Sequence, residues 1–294
     1  MARALTTVLR AESLTVIVNV GDDDSVYGLH VSADIDTVVY TLAGVVGPHG
    51  WGRERDTFTV MTELDRFGVE TSFRLGDADL ALCLERTNRL AAGEPLSSVT
   101  TDLATRLGVS ARVLPASDDP VPTMVQVGSG EWIPFQEYFV RRGHADEVLD
   151  LRYEGSDAAK AAPGVLEALR KATLVVIAPS NPPLSIWPIL AIPGIRDEVH
   201  RHGNVAAISP LFGGKPLKGP ADRVMTGMGL PQGNAGVASA YDGLITDLVV
   251  DTEDADDVRS IQSPNLRVHA ADTRIGDPSA GERFSKWLLA EVGP

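Results

Sequence analysis

The chain of 294 residues has a single cysteine, Cys83. One cysteine excludes an internal disulfide and a thiolate-rich metal cage. The sequence also lacks any apolar run near the roughly 20 residues that a membrane-spanning helix needs, and its N-terminus lacks the apolar core of a secretory signal. These absences predict a soluble, cytoplasmic protein.

Positive charge is scarce as well. Lys and Arg number 26 against 40 Asp and Glu, which gives a formal net charge of -14. Such an acidic protein repels both the phosphates of nucleic acid and an anionic membrane surface, so we expect neither as a partner. Anionic small molecules are not excluded, because a metal ion and a few basic side chains reverse the field locally.

The signatures of several large enzyme classes are absent. The sequence has no GxxxxGKS/T loop and no GxGxxG fingerprint, which argues against P-loop and dinucleotide-binding proteins. It has neither a GxSxG nucleophile elbow nor an HExxH zinc motif. The histidines lack the spacing of metal ligands. Carboxylates and polar loops are therefore the candidates that remain.

Short, continuously apolar segments alternate with helical patterns along the chain. Continuous apolar runs are typical of strands covered on both faces, as in a parallel sheet. These runs cover residues 14–20, 174–178, 205–209 and 245–250. Amphipathic helical spacing occurs at residues 58–67, 80–91, 97–107, 163–169 and 281–292. The alternation predicts one α/β domain over residues 1–294, with a mainly parallel sheet, helices on both faces, and an inserted cap of helices and strands over residues 50–140.

The strongest local signal is a group of carboxylates that follows the first apolar run: Asp22 and Asp23, then Asp34 and Asp36. Ligands of open α/β sheets bind at the carboxyl ends of strands. Several oxygen ligands at that edge suit Mg²⁺, which proteins usually hold with one or two carboxylates. The alternative is a solvated acidic turn in which Asp34 caps a helix that begins near Thr37. Position alone does not decide between the two interpretations.

A second acidic turn, Gly76-Asp77, comes just before the helical pattern at 80–91. Asp77 is expected to cap that helix, since capping is the common use of Asp in such a place. Arg74 precedes the turn and is either a surface residue or a fixed cation that faces the acidic crevice and holds an anionic or polarised ligand.

Two loops rich in proline follow the strand candidates at 174–178 and 205–209. The first carries Ser180 and Asn181, and the second carries Gly213, Lys218 and Gly219. Backbone amides beside glycine, with a nearby lysine, form cradles for phosphate. Proline and glycine also serve plain turns, but two such loops after consecutive strands favour a binding function.

Strings along nearly the whole chain carry a resemblance to a known family. In order, they are TVIVNVGDD, SADIDTVVYTLAG, WGRERDTF, FRLGDADLA, LPASDDPVPT, FQEYFV, APSNPPLSIWPIL, SPLFGGKPLKGPADR and HAADT. With these strings the chain resembles the 2-phospho-L-lactate transferase family of coenzyme F-420 biosynthesis. The resemblance implies a Rossmann-like fold, a homodimer and a requirement for Mg²⁺. It also implies transfer of a phospholactyl or phosphoenolpyruvyl unit from a guanylyl diphosphate donor to the deazaflavin Fo, with release of GMP.

The resemblance assigns roles to the candidate residues. The family's deazaflavin-binding positions fall on Asp36 and Arg74. Asp22, Asp23 and Asp34 become candidates for binding the metal or accepting the proton of the attacking hydroxyl, and the expected metal ligands are Asp22, Asp34 and Asp36. The loops of Ser180, Asn181, Gly213, Lys218 and Gly219 resemble the side that binds the guanylate and the phosphates.

The chain departs from the family pattern in three places. The N-terminal strand and glycine-rich loop of the family are expected to be missing. Ala78 stands where the family usually has Arg, and Leu82-Cys83 stands where it usually has Thr-His. These departures leave a second hypothesis open, a homologue that binds deazaflavin or guanylate without catalysis. A related enzyme acting on sugar nucleotides or other diphosphates is a third, weaker alternative.

Overall fold

The computed structural model describes residues 1–48 and 50–293. The α-helices in these residues are α1 (Ala2–Leu5), α2 (Ala33–Ala43), α3 (Thr59–Arg66), α4 (Asp77–Ala91), α5 (Leu96–Arg106), α6 (Val165–Lys171), α7 (Trp187–Leu190), α8 (Ile195–His202), α9 (Ala221–Gly227), α10 (Gly233–Ala240), α11 (Val258–Ile261) and α12 (Pro278–Glu291). The strands are β1 (Thr15–Val18), β2 (Asp24–Val26), β3 (Leu29–Val31), β4 (Arg112–Pro115), β5 (Thr123–Val127), β6 (Trp132–Pro134), β7 (Val148–Tyr153), β8 (Val175–Ile177), β9 (Val205–Ile208), β10 (Leu211–Phe212), β11 (Lys215–Pro216), β12 (Asp247–Asp251) and β13 (Arg267–Ala271).

Parallel strands form the centre of the molecule. One sheet has the order β13-β12-β9-β8, and β1 pairs in parallel with β4. On β9, Val205 and Ala207 belong to the largest core cluster, together with residues of α6 and α8, whereas Ala206 and Ile208 pack with α12. This alternation explains why the run is continuously apolar, because both faces are buried. The predicted α/β fold with helices on both faces is confirmed.

A smaller, antiparallel part of the fold packs beside these sheets. Strand β5 pairs with β6 on one side and with β7 on the other. The apolar face of this three-stranded sheet forms its own core with Leu184 and with Val224 of α9. The inserted cap over residues 50–140 stays a prediction; within that range β4 belongs to the parallel pair with β1.

Helices α3 and α4 cap each other. The carboxylate of Asp56, just before α3, accepts hydrogen bonds from the first-turn amides of Ala78 (2.9 Å) and Asp79 (3.1 Å) in α4. In return, Asp77 accepts from the amides of Thr59 and Val60 in α3, both at 3.0 Å. A hydrogen bond from the Thr57 hydroxyl is the largest cause that lowers the pKa of Asp77 to about 2. The expectation that Asp77 caps its own helix is therefore wrong, because a neighbouring helix end lies within its reach.

The burial of the central strand gives a stability prediction. Leu248 on β12 is fully buried, so truncation in Leu248→Ala leaves a cavity and lowers the free energy of unfolding by about 2–5 kcal/mol. Leu149→Ala on β7 is the matched control, because that side chain is 43% exposed and its loss costs less than about 1 kcal/mol. Urea unfolding followed by circular dichroism measures both. Equal losses in the two variants would contradict this account of the core.

Candidate active site

A cleft of about 1400 Å³ opens at the carboxyl ends of the parallel strands. The loops that follow β1, β8, β9 and β13 all contribute to it. The predicted residues that line the cleft are Asp22, Asp34, Asp36, Arg74, Ser180, Asn181, Lys218 and Gly219. Asp23 and Gly213 are not among its lining residues. The position agrees with the general rule for ligand sites in open α/β sheets.

Asn19 joins two of the carboxylates. Its side-chain nitrogen donates hydrogen bonds to Asp22 at 3.0 Å and to Asp34 at 3.1 Å. The amide is oriented from its other end, because its oxygen accepts a hydrogen bond of 2.7 Å from the Gly21 backbone. Asn19 and Asp22 are both buried. These residues therefore do not form the solvated acidic turn that was the alternative expectation.

The N-terminus of α2 positions Asp34 and Asp36. The helix begins at Ala33 after Ser32, and the Asp36 amide already donates to the Ser32 carbonyl at 2.9 Å. The expected start near Thr37, with Asp34 as the cap, is wrong by about one turn. Both carboxylates lie in the first turn of the helix, where the helix dipole favours negative charge.

Burial and repulsion from neighbouring carboxylates raise the pKa values of the Asn19-linked pair. Burial, and then repulsion from Asp34, raises the pKa of Asp22 well above its usual range. Burial also raises the pKa of Asp34 to about 6, against the hydrogen bond from Asn19, which lowers it. Among the described residues, no basic side chain shifts the pKa of either group. Asp22 is buried and Asp34 is half-buried, and two such carboxylates that face a cleft without a compensating cation fit a divalent metal such as Mg²⁺.

Asp36 is compensated by a cation from the protein itself. The guanidinium of Arg86 on α4 donates to both of its oxygens, one of the two bonds being 3.1 Å. Arg86 is 1% exposed and Asp36 is 6% exposed. Burial raises the pKa of Asp36 to about 6, and the positive charge of Arg86 opposes that rise. Asp36 therefore has less capacity for a metal ion than Asp22 and Asp34.

Asp79 is a further cleft residue that the sequence analysis did not single out. One of its oxygens accepts a hydrogen bond of 2.7 Å from the Tyr40 hydroxyl, and burial raises its pKa. Ligand atoms of Asp36, Asp79 and Cys83 lie within 4.8 Å of one another. The Arg86 guanidinium contacts this group, and its positive charge opposes a cation there. The only available signal was helical spacing, since Asp79 and Arg86 are in phase with the buried Leu82 and Cys83 of α4.

Asp23 lies behind the cleft. One of its oxygens accepts from the Ser32 hydroxyl at 2.8 Å and is 3.0 Å from the His30 ring nitrogen Nε2. Its other oxygen is buried without a hydrogen-bond partner among the described residues. A direct role in metal binding or proton transfer stays a prediction for this residue.

Arg74 is exposed at the cleft, where its guanidinium lies 4.9 Å from the centre of the Phe58 ring. Opposite charges therefore face the same hollow: Arg74 at the cleft surface, and Asp36 buried at the start of α2. This arrangement agrees with the expectation that Arg74 faces the acidic crevice.

The loops after β8 and β9 contribute differently to the cleft. In the first, the oxygen of Asn181 accepts from the Leu184 amide at 3.4 Å, while its side-chain nitrogen is buried without a partner among the described residues. In the second, Gly213 and Gly214 form the two-residue turn between β10 and β11 with φ of 57° and 74°, the left-handed pair that tight hairpins require. Lys218, beyond that turn, lies with its ammonium 5.7 Å from the centre of the Trp51 ring.

Ala78 and Cys83, the two α4 positions where the chain departs from the family pattern, both make defined contacts. The Ala78 amide is bound by Asp56, and Cys83 is fully buried with its sulfur 3.9 Å from Arg86. Burial raises the pKa of Cys83 to about 12. Cys83 is therefore a neutral thiol at the back of the cleft, and it cannot act as a thiolate nucleophile near neutral pH.

Fold and site together define an α/β protein with an acidic ligand cleft at the carboxyl ends of its parallel strands. The family model described as 2-phospho-L-lactate transferase CofD matches residues 1–277. The chain belongs to this transferase family.

Similar proteins agree with that assignment, and a solved structure shares the fold. The chain is 42% identical over 283 residues to the phosphoenolpyruvate transferase of Streptomyces griseus, a match that covers 94% of this chain and 89% of the relative. It is 37% identical over 286 residues to the 2-phospho-L-lactate transferase of Methanosarcina acetivorans, covering 97% and 92%. A UPF0052 family protein from Bacillus halodurans shares the fold, with a TM-score of 0.63 at 17% identity, covering 98% of this chain and 94% of that one. Among the described residues, none of the helices has the length and apolar character needed to cross a membrane.

The raised pKa of Asp34 predicts a stability gain when its charge is removed. The pKa of Asp34 in the folded protein is about 6, above its ordinary value, so the folded state favours the protonated group. The contribution of that protonation to the stability of the fold is complete below about pH 4 and is lost as the pH rises through 6. At pH 7.5 the free energy of unfolding of Asp34→Asn is therefore higher than that of wild type by about 1–3 kcal/mol. The difference shrinks at pH 4.5. The exposed Asp65→Asn on α3 is the control and changes little at either pH. Denaturant titrations are run with EDTA present. A loss of stability in Asp34→Asn at pH 7.5 would contradict the charge repulsion.

Proposed function

We propose that this protein transfers a 2-phospholactyl or phosphoenolpyruvyl group from a guanylyl diphosphate donor to the deazaflavin Fo and releases GMP, in coenzyme F-420 biosynthesis. Family membership supports a transferase of this kind. The observation that carries the proposal is the joining of Asp22, Asp34, Asp36 and Arg74 in one cleft that two polar loops also line. We also propose that it works in the cytoplasm as a homodimer.

The acceptor binds beside Asp36 and Arg74 in this proposal. An ionised carboxylate has about four lone-pair sites, and Arg86 uses one on each oxygen of Asp36. The remaining sites accept hydrogen bonds from the hydroxyl groups of a sugar-like chain. Arg74 supplies a fixed positive charge for a polarised or anionic part of the ring system.

Asp22 and Asp34 are the residues that would hold Mg²⁺. When bound, the ion supplies a Lewis acid that neutralises charge on the diphosphate. Asn19 keeps the two carboxylates together, so that the site exists before the ion arrives. Asp36 was expected as a third ligand, but its pairing with Arg86 makes it the acceptor carboxylate in this proposal.

The donor lies toward the loops that hold Ser180, Asn181, Lys218 and Gly219. The unpartnered side-chain nitrogen of Asn181 is a hydrogen-bond donor that a phosphate oxygen would satisfy. Lys218, which also lines the cleft, adds positive charge. Such fixed donors and charges stabilise the charge that develops on a leaving phosphate.

The transfer step is a displacement at phosphorus in which GMP is the leaving group. The oxygen of an acceptor hydroxyl forms a bond to the phosphorus that bears the lactyl or enolpyruvyl unit. The bond from that phosphorus to the GMP oxygen breaks, and GMP leaves with the electron pair. The hydroxyl proton passes to a neighbouring carboxylate of the cleft, that of Asp22 or Asp34, while Asp36 binds the polyol chain.

The direct test is GMP release, measured by chromatography, from Fo, the guanylyl donor and Mg²⁺. The wild-type protein releases GMP and converts Fo to a more acidic deazaflavin, and EDTA stops the reaction. Asp22→Asn and Asp34→Asn each lower kcat/KM by roughly 100-fold, since each removes a charge that acts in the transition state. Asp65→Asn is again the control and keeps wild-type activity. A wild-type protein that is inactive with both donors would refute the proposal.

The second candidate function is binding of the deazaflavin without transfer. The observation that favours it is Cys83, a buried neutral thiol where the family usually has His. Fluorescence titration with Fo separates the two functions. Saturable binding without GMP release supports the binding protein, and absence of binding removes both candidates.

A further inference from the structure

Arg86 is unusual because it is a fully buried cation directly behind the cleft. Its side chain is 2% exposed and that of Asp36 is 8% exposed. Besides Asp36, it donates to the His30 carbonyl at 3.3 Å, and its Nε has no partner among the described residues. Burying an ion pair costs several kcal/mol of desolvation, and well-packed apolar residues stabilise a core as well or better. Stability alone is therefore a weak reason for this pair.

The geometry of the pair fixes one carboxylate in one orientation. The two terminal nitrogens of Arg86 reach the two oxygens of Asp36, the fork arrangement that only arginine can make. Both residues lie in regular helices, Asp36 in α2 and Arg86 in α4. Asp36 nevertheless lines the cleft. One partner of the pair therefore faces the ligand, and the other is sealed from it.

We propose that Arg86 is a positioning residue for the acceptor: its fork holds the Asp36 carboxylate in the single orientation from which it binds a hydroxyl of the polyol chain. The inference rests on the proposed function, and it adds a residue that does not itself touch the substrate. It also explains why a charged side chain occupies the buried face of α4.

Arg86→Lys tests the role of the fork, because lysine keeps the positive charge but cannot bind both oxygens in one plane. The variant raises KM for Fo by about 10-fold or more, while kcat and KM for the guanylyl donor stay within about threefold of wild type, since a bidentate geometry contributes on the order of one tenfold factor. Arg89→Lys is the matched control, because Arg89 lies one turn later on α4 and pairs with Glu94 (2.6 Å) and Asp102 (2.5 Å) away from the cleft. It leaves both KM values unchanged.

Thermal unfolding of each variant is measured first, and Arg86→Gln replaces Arg86→Lys if the latter does not fold. A selective rise in KM for Fo supports the positioning role. Unchanged kinetics, or a joint loss in kcat and in both KM values, overturns it and leaves only a structural pair. Wild-type protein that releases no GMP refutes the proposed function and this inference together, whereas active wild-type protein with unaffected Arg86→Lys removes the inference alone.

Discussion

The cleft depends on how the protein accommodates several negative charges buried at one end of its sheet. Asp22, Asp34 and Asp36 lie close together where burial disfavours their ionised forms. Two sets of hydrogen bonds stabilise the cluster. The Asn19 amide donates to Asp22 and Asp34, and the Arg86 guanidinium donates to both oxygens of Asp36. Asn19 supplies hydrogen bonds but no charge, and Arg86 supplies both hydrogen bonds and a positive charge. This difference divides one acidic cluster into two sites with different chemistry.

The division matches the demands of the proposed transfer to a neutral alcohol. In that proposal the uncompensated pair needs positive charge, which a divalent ion would supply while it neutralises the diphosphate of the donor. The compensated carboxylate stays available for hydroxyl groups. The same division opposes a metal ion in the nearby group of Asp36 and Asp79, because Arg86 already occupies it. Repulsion among the clustered carboxylates weakens the folded state. Functional sites commonly keep such destabilising charges because binding needs them.

The sequence predicted the layers of the fold and the edge that carries the site, because both follow from local pattern. Continuous apolar runs mark strands buried on both faces, and the aspartates after the first run fall at its carboxyl end. Features that depend on contacts distant in the chain were missed. Arg86 is in phase with the buried residues of α4, but the local pattern does not show that α2 places Asp36 against it. Asp77 caps α3 rather than α4 only because Asp56 and the two helix ends meet.

The most direct test of the divided cluster is a crystal structure with Mn²⁺, Fo and a donor analogue that cannot react, with the metal located by its anomalous signal. We expect a peak within coordination distance of the Asp22 and Asp34 carboxylates, with Asp36 still paired to Arg86 and accepting a hydrogen bond from the polyol chain. A metal ion bound by Asp36 and Asp79, with Arg86 displaced from the pair, would contradict it.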